Sequence, residues 1–154
     1  MIDISTALAK LALAPELDDY GSTVLESQID LLQSFAEAIL PDDYKLFLTH
    51  HGFAFWVGYA IYGIYDDADA RFPKSYNSSA QTQTVRARLM HSANHYPFFL
   101  CSLVIGNDET GGYYLLVISE DLPDHSVVWV TFDDDWVVTE KWQSFAAYLY
   151  EAPM

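Results

Sequence analysis

Apolar positions recur along this chain with two different periods, and the change of period divides it. Ile4, Leu8 and Leu11 fall at i, i+4 and i+7 and predict an optional helix that Pro15 stops. An acidic turn, Glu16 to Gly21, is expected next. Thr23 with Glu26 three residues on reads as a capping box, each side chain serving a backbone N–H at a helix start. Leu25, Ile29, Leu32, Phe35 and Ile39 then form a single apolar stripe. Leu40-Pro41 ends that helix, because the residue before a proline is pushed out of the α region. Pro41 can open a further short helix with Asp42 and Asp43 in its first turn. Tyr44, Phe47 and Leu48 make its buried face and Gly52 caps its end.

Beyond Gly52 the period shortens. Phe53 to Tyr65 is rich in aromatics with glycine breaks and predicts two short strands or a bent one. A polar loop follows through Ser79, then a helix from about Ala80 to His95 with Val85, Leu89 and Ala93 spaced by four. Candidate strands are Phe98–Ile105, Tyr113–Ile118, Val127–Phe132 and Trp136–Val138, joined by short turn-rich segments. Thr139 can N-cap a closing helix that carries Trp142, Phe145, Tyr148 and Leu149 on one face. Residues 1–154 therefore read as one α+β domain: N-terminal helices, a central mainly antiparallel sheet of about five or six strands, and a C-terminal helix.

Composition narrows the function. Seven Lys and Arg against 22 Asp and Glu give a net charge of −15. That balance excludes direct binding to nucleic acid, which requires a basic footprint, and matches a basic protein as partner. The 9 Phe, 4 Trp and 11 Tyr argue for a packed core rather than disorder despite the charge. The lone Cys101 excludes an intramolecular disulfide and fits a reducing compartment; its apolar neighbours predict a buried thiol. The longest apolar stretch, Gly52 to Tyr65, is too short to span a bilayer, and no signal peptide is visible, so a cytoplasmic protein without membrane contact is expected.

The run from Leu25 through Phe35-Ala36-Glu37-Ala38-Ile39-Leu40-Pro41-Asp42-Asp43-Tyr44 to Phe47-Leu48 and Gly52 resembles the N-terminal signature of the SUKH superfamily. There a helix leads to Leu-Pro, an acidic or polar residue, Tyr, a Phe-Leu pair and a closing Gly. Val104-Ile105-Gly106-Asn107-Asp108 with Gly111-Gly112 and Tyr114-Leu115-Leu116 resembles that family's turn between core strands. Val128-Trp129-Val130 resembles the following strand and Ser144 to Leu149 the closing helix. The resemblance covers about residues 23–151 and leaves 1–22 as an N-terminal extension. It departs at His51, where many members have Asn, and at Phe53, where an extra Gly is frequent. The resemblance implies a non-enzymatic binding fold: bacterial members are mostly immunity proteins that bind and neutralise a secreted or contact-delivered toxin, often a nuclease. Fungal members regulate cell-wall assembly, so an intracellular regulatory or scaffold module of Knr4 type is the alternative.

His91 and His95 sit at i, i+4 on the helix expected there, but Ser92 stands where a zinc hydrolase needs its glutamate, and no third ligand is near. His50 and His51 fall in a last helical turn, where the helix dipole favours a cation. Asp133-Asp134-Asp135 runs straight into Trp136 and lacks the alternating ligands and glycine of a calcium loop. No nucleophile elbow, phosphate loop or paired cysteine is present, so neither metal, cofactor nor catalysis is expected, and a small hydrolase is the least favoured reading. The expected partner-binding residues are Asp133, Asp134, Asp135 and Trp136, at a hairpin tip, and Asp66, Asp67 and Asp69. An aromatic ringed by acids suits a basic toxin.

Overall fold

The computed structural model describes residues 1–14, 17–20, 24–56, 58–64, 77–89, 101–108, 110–118, 125–131 and 137–151. Among these residues are five helices: α1 (Ile4–Ala12), α2 (Glu26–Ala36), α3 (Asp42–His51), α4 (Ser78–Leu89) and α5 (Phe145–Glu151). They accompany one sheet of β1 (Leu17–Tyr20), β2 (Ala54–Trp56), β3 (Tyr59–Ile61), β4 (Ser102–Asn107), β5 (Tyr113–Val117), β6 (Val127–Thr131) and β7 (Val137–Trp142). The strands lie side by side in chain order, each antiparallel to the next. The fold is α+β, as the pattern of periods predicts.

Side chains alternate along the strands, and both faces of the sheet are buried. Leu103, Ile105, Tyr114, Leu116 and Val127 enter one core with Ala7 and Leu11 of α1, Tyr44, Phe47 and Leu48 of α3, and Phe145, Tyr148 and Leu149 of α5. Val104, Leu115, Val117, Val128 and Val130 enter a second with Val85 of α4. Burial on both faces explains why β4 to β6 read as nearly continuous apolar runs rather than alternating ones. Helix α2 touches both α3 and α4.

Hydroxyls help attach the helix α4. Among its described side chains the buried ones are Ser78, Thr82 and Val85, at i, i+4 and i+7. Ser78 Oγ donates to the Val104 carbonyl at 2.7 Å, and the Val104 amide donates to Thr82 Oγ1 at 2.9 Å. The β4–β5 register shifts between Val104 and Gly106, so α4 satisfies backbone groups at the bulge.

Helix α3 follows the sequence closely. Pro41 is its N-cap, at φ −63°, and Gly52 closes it with a positive φ of 68°. Tyr44 and Phe47 are fully buried and pack on Phe145, with ring centroids 4.9 Å and 5.2 Å away. Phe47→Ala should therefore cost about 3–5 kcal/mol, the usual range for deleting a buried ring. Denaturant unfolding checks this, and a variant as stable as wild type would mean the ring is not enclosed as described.

Four expectations change. The acidic segment read as a turn contains β1, a short strand whose register on β2 shifts between Leu17 and Asp19; charged, bulged edge strands avoid unwanted pairing, and acid-rich composition disguises them as loops. With it the sheet has seven strands. Trp142 lies at the end of β7, not on the closing helix, because the strand continues past Thr139. It still packs on Tyr114 and Tyr148. The capping-box reading at Thr23 also moves: α2 begins at Glu26 behind Leu25, whose amide donates to Gln28 Oε1 at 2.8 Å, and Thr23 lies outside the described residues. Cys101 is exposed, since β4 starts only at Ser102 and the thiol sits ahead of the ladder. The optional N-terminal helix, by contrast, is integral: Ala7 and Leu11 have no exposed surface. Lys10 Nζ donates to the Tyr150 carbonyl and lies 4.8 Å from the Tyr150 ring centroid.

Candidate protein-binding surface

The corner between α2 and α3 is held by its own sequence. Glu37 closes α2 in the left-handed region at φ 54°, returning its amide to Gln33 and Ser34 carbonyls. The Gln33 side chain reaches forward and accepts the Leu40 amide at 3.0 Å, which seats Leu40 in the core ahead of Pro41. Asp43 then ties the corner to the far end of the chain. Its carboxylate accepts the Tyr44 amide at 2.9 Å and the Ala146 amide at 2.8 Å, capping the first turn of α5.

Between the two helices runs an open groove of about 630 Å³. Val24 and Ile29 form its buried floor, and Leu46 adds an apolar wall that is 43% exposed. Glu26, Asp30 and Asp42 stand at its rim. The cation at the rim, Lys45, is bound to Asp42 at 2.8 Å and holds that carboxyl below its ordinary value by hydrogen bonding first and charge second. Leu25, Leu31 and Ile39 are further exposed apolar side chains on or beside α2. The groove is an apolar floor and wall bordered by acids. A smaller hollow of about 330 Å³ lies on the other side of α2, against Asn77 and Gln83.

Asp66, Asp67, Asp69, Asp133, Asp134, Asp135 and Trp136 all lie outside the described residues, as do His91 and His95. On either side of the second cluster, Thr131 and Val137 are register partners of an antiparallel pair. No group of three or more His, Cys, Asp or Glu that could hold a metal ion occurs among the described residues. His50 Nδ1 lies 2.8 Å from the Leu46 carbonyl. His51 differs from the helix-end cation expected: burial, and then the neighbouring His50, push its pKa down, so the neutral ring is favoured. Leu25 and Ile39, expected on the buried stripe of α2, are instead exposed. The sequence signal for the groove was Leu46, an apolar residue off the Tyr44–Phe47–Leu48 face of α3.

Fold and surface together define the class: an α+β protein with one antiparallel sheet covered on both faces and an acid-edged helical groove facing solvent. More narrowly, the chain belongs to the SMI1 / KNR4 family (SUKH-1), whose family model matches residues 23–151. No curated protein matches the chain. Helix α1 and strand β1 precede the matched segment yet pack on α5 and pair with β2 within it. No helix among the described residues is long and apolar enough to cross a membrane.

Proposed function

We propose that the protein is an immunity protein that binds and neutralises a cognate protein toxin in the cytoplasm, without catalysis of its own. Membership of the SUKH-1 family over residues 23–151 carries this reading. The net charge of −15 supports it and gives the partner a sign. A nuclease toxin is basic because its substrate is a polyanion, and an acidic inhibitor both steers the encounter and competes for the same charges. The acidic clusters Asp133 to Trp136 and Asp66, Asp67 and Asp69 are proposed contacts on the same ground.

Co-expression with a toxin, sought first in the neighbouring gene, should restore growth, and the purified pair should bind more weakly as salt is raised. Asp134→Lys with Trp136→Ala should weaken binding and flatten its salt dependence while leaving the melting temperature unchanged. A complex that forms without rescuing growth would point to the regulatory or scaffold role instead. A toxin that kills as well with the protein as without it, and forms no complex, would overturn the reading.

A further inference from the structure

We propose that the α2–α3 groove is a docking site for a basic amphipathic helix of the partner protein; this rests on the protein-binding reading above and gives it a specific surface. The groove has the two features that mode of recognition requires. Its floor and wall, Val24, Ile29 and Leu46, are apolar, and an approaching helix with apolar residues at i, i+3, i+4 and i+7 can cover them. Its borders, Glu26, Asp30 and Asp42, meet lysines or arginines flanking such a stripe.

The charge on this surface is one-sided. From Val24 to His51 the acids are Glu26, Asp30, Glu37, Asp42 and Asp43, against one Lys or Arg, Lys45, with His50 and His51 at the far end of α3. Asp43 is turned inward onto two amides, and Lys45 is engaged by Asp42. Glu26 and Asp30 are exposed and are the acids best placed to meet a cation. An apolar patch on such a border attracts a basic partner and repels acidic ones, which gives selectivity as well as affinity. The corner is also pre-formed by Gln33, Glu37 and Pro41, so little ordering of this protein opposes binding.

The test uses the full chain and a synthetic probe. The probe is a lysine-leucine peptide with leucines at i, i+3, i+4 and i+7; its control has the same composition, scrambled so that no apolar face forms. Titration followed by backbone amide NMR should show the patterned peptide binding at least about tenfold more tightly than the scrambled one. The largest shifts should fall in α2 and α3. Leu46→Ser, which removes the apolar wall without changing charge, should bring the patterned peptide down to the level of the scrambled one. Asp30→Lys should weaken both peptides, the patterned one more. Both positions are exposed, so the variants should keep the wild-type melting temperature. Equal affinity for the two peptides would overturn the proposal, because it would reduce the interaction to net charge. Shifts centred outside α2 and α3 would overturn it as well. Since no toxin is involved, failure here leaves the immunity reading standing, and failure of growth rescue leaves the groove standing.

Discussion

Gly63→Ala is expected to leave the protein largely unfolded at room temperature. A Cβ built on Gly63 would lie 1.7 Å from the Gly52 carbonyl oxygen and 2.7 Å from Leu48 Cδ2. The obstacle is backbone, and that backbone is pinned. Gly52 ends α3 with its amide on the Leu48 carbonyl at 2.9 Å, and its own carbonyl accepts the Ile64 amide at 3.0 Å. On the other side Gly63 pairs with Asn77, and its carbonyl accepts the Ser78 amide at 2.9 Å. Gly63 thus joins α3 to the start of α4, and separating them disturbs both cores. Ordinary overpacking costs about 1–3 kcal/mol. A forced backbone displacement belongs to the exceptional class of about 5 kcal/mol or more, comparable to the whole stability of many domains. Gly58→Ala is the control. There nothing lies within 4 Å, and only the positive φ of 82° is at issue, so a loss of about 1–2 kcal/mol is expected. Urea midpoints that are equal for the two variants would refute the account of Gly63.

How much of this was legible beforehand depends on what each element asks of its residues. Helix α3 could be read almost residue by residue, because Pro41, the acidic first turn, the Tyr44–Phe47–Leu48 face and Gly52 are all local signals. Strands β4 to β6 were visible because β-branched and aromatic residues crowd into short runs between turn residues. Helix α4 showed less, since Ser78 and Thr82 hold it to Val104 through hydrogen bonds that no hydrophobic pattern reveals. The boundary between β7 and α5 was misplaced at Trp142 for a related reason. A tryptophan at that spacing fits a helical face or a strand end equally well, and its bond to Glu151 Oε2, at 2.9 Å, forms only after folding. The apolar stripe was read too long by the helix pattern itself. Leu25 and Ile39 have the period of a buried stripe, but Leu25 is the N-cap and Ile39 lies past the left-handed close at Glu37, and both are exposed.

The last expectation is loss of stability in alkali, set by tyrosines rather than by acids. Tyr44, Tyr59 and Tyr148 are buried, and Tyr148 lies at the centre of an aromatic cluster with Tyr114 and Trp142. Each phenol is hydrogen-bonded as a neutral group: Tyr44 Oη donates to the Tyr62 carbonyl at 2.9 Å, and Tyr59 Oη donates to Tyr148 Oη at 2.9 Å. Burial is the first cause pushing all three pKa values above the ordinary 10.0, and for Tyr59 the adjoining Tyr148 and Tyr114 push in the same direction. The sign follows from which state keeps its protons. Below 10.0 folded and unfolded chains are equally protonated at these groups, and the stability is fully present. Above it the unfolded chain releases protons that the folded one retains, so each group costs about 1.4 kcal/mol per pH unit. Three together remove about 4 kcal/mol one unit above the ordinary value. Carboxyl groups ordinarily titrate far below this window and are not its cause. Urea unfolding from neutral pH to one unit above 10.0 should show stability level at first and then falling steeply. Tyr44→Phe keeps the ring and removes one titrating group, so its decline should be shallower by about one proton's worth, roughly 1.4 kcal/mol per unit. A wild-type protein equally stable across the whole range would show that these phenols are not enclosed, and an unchanged slope in Tyr44→Phe would remove that residue from the cause.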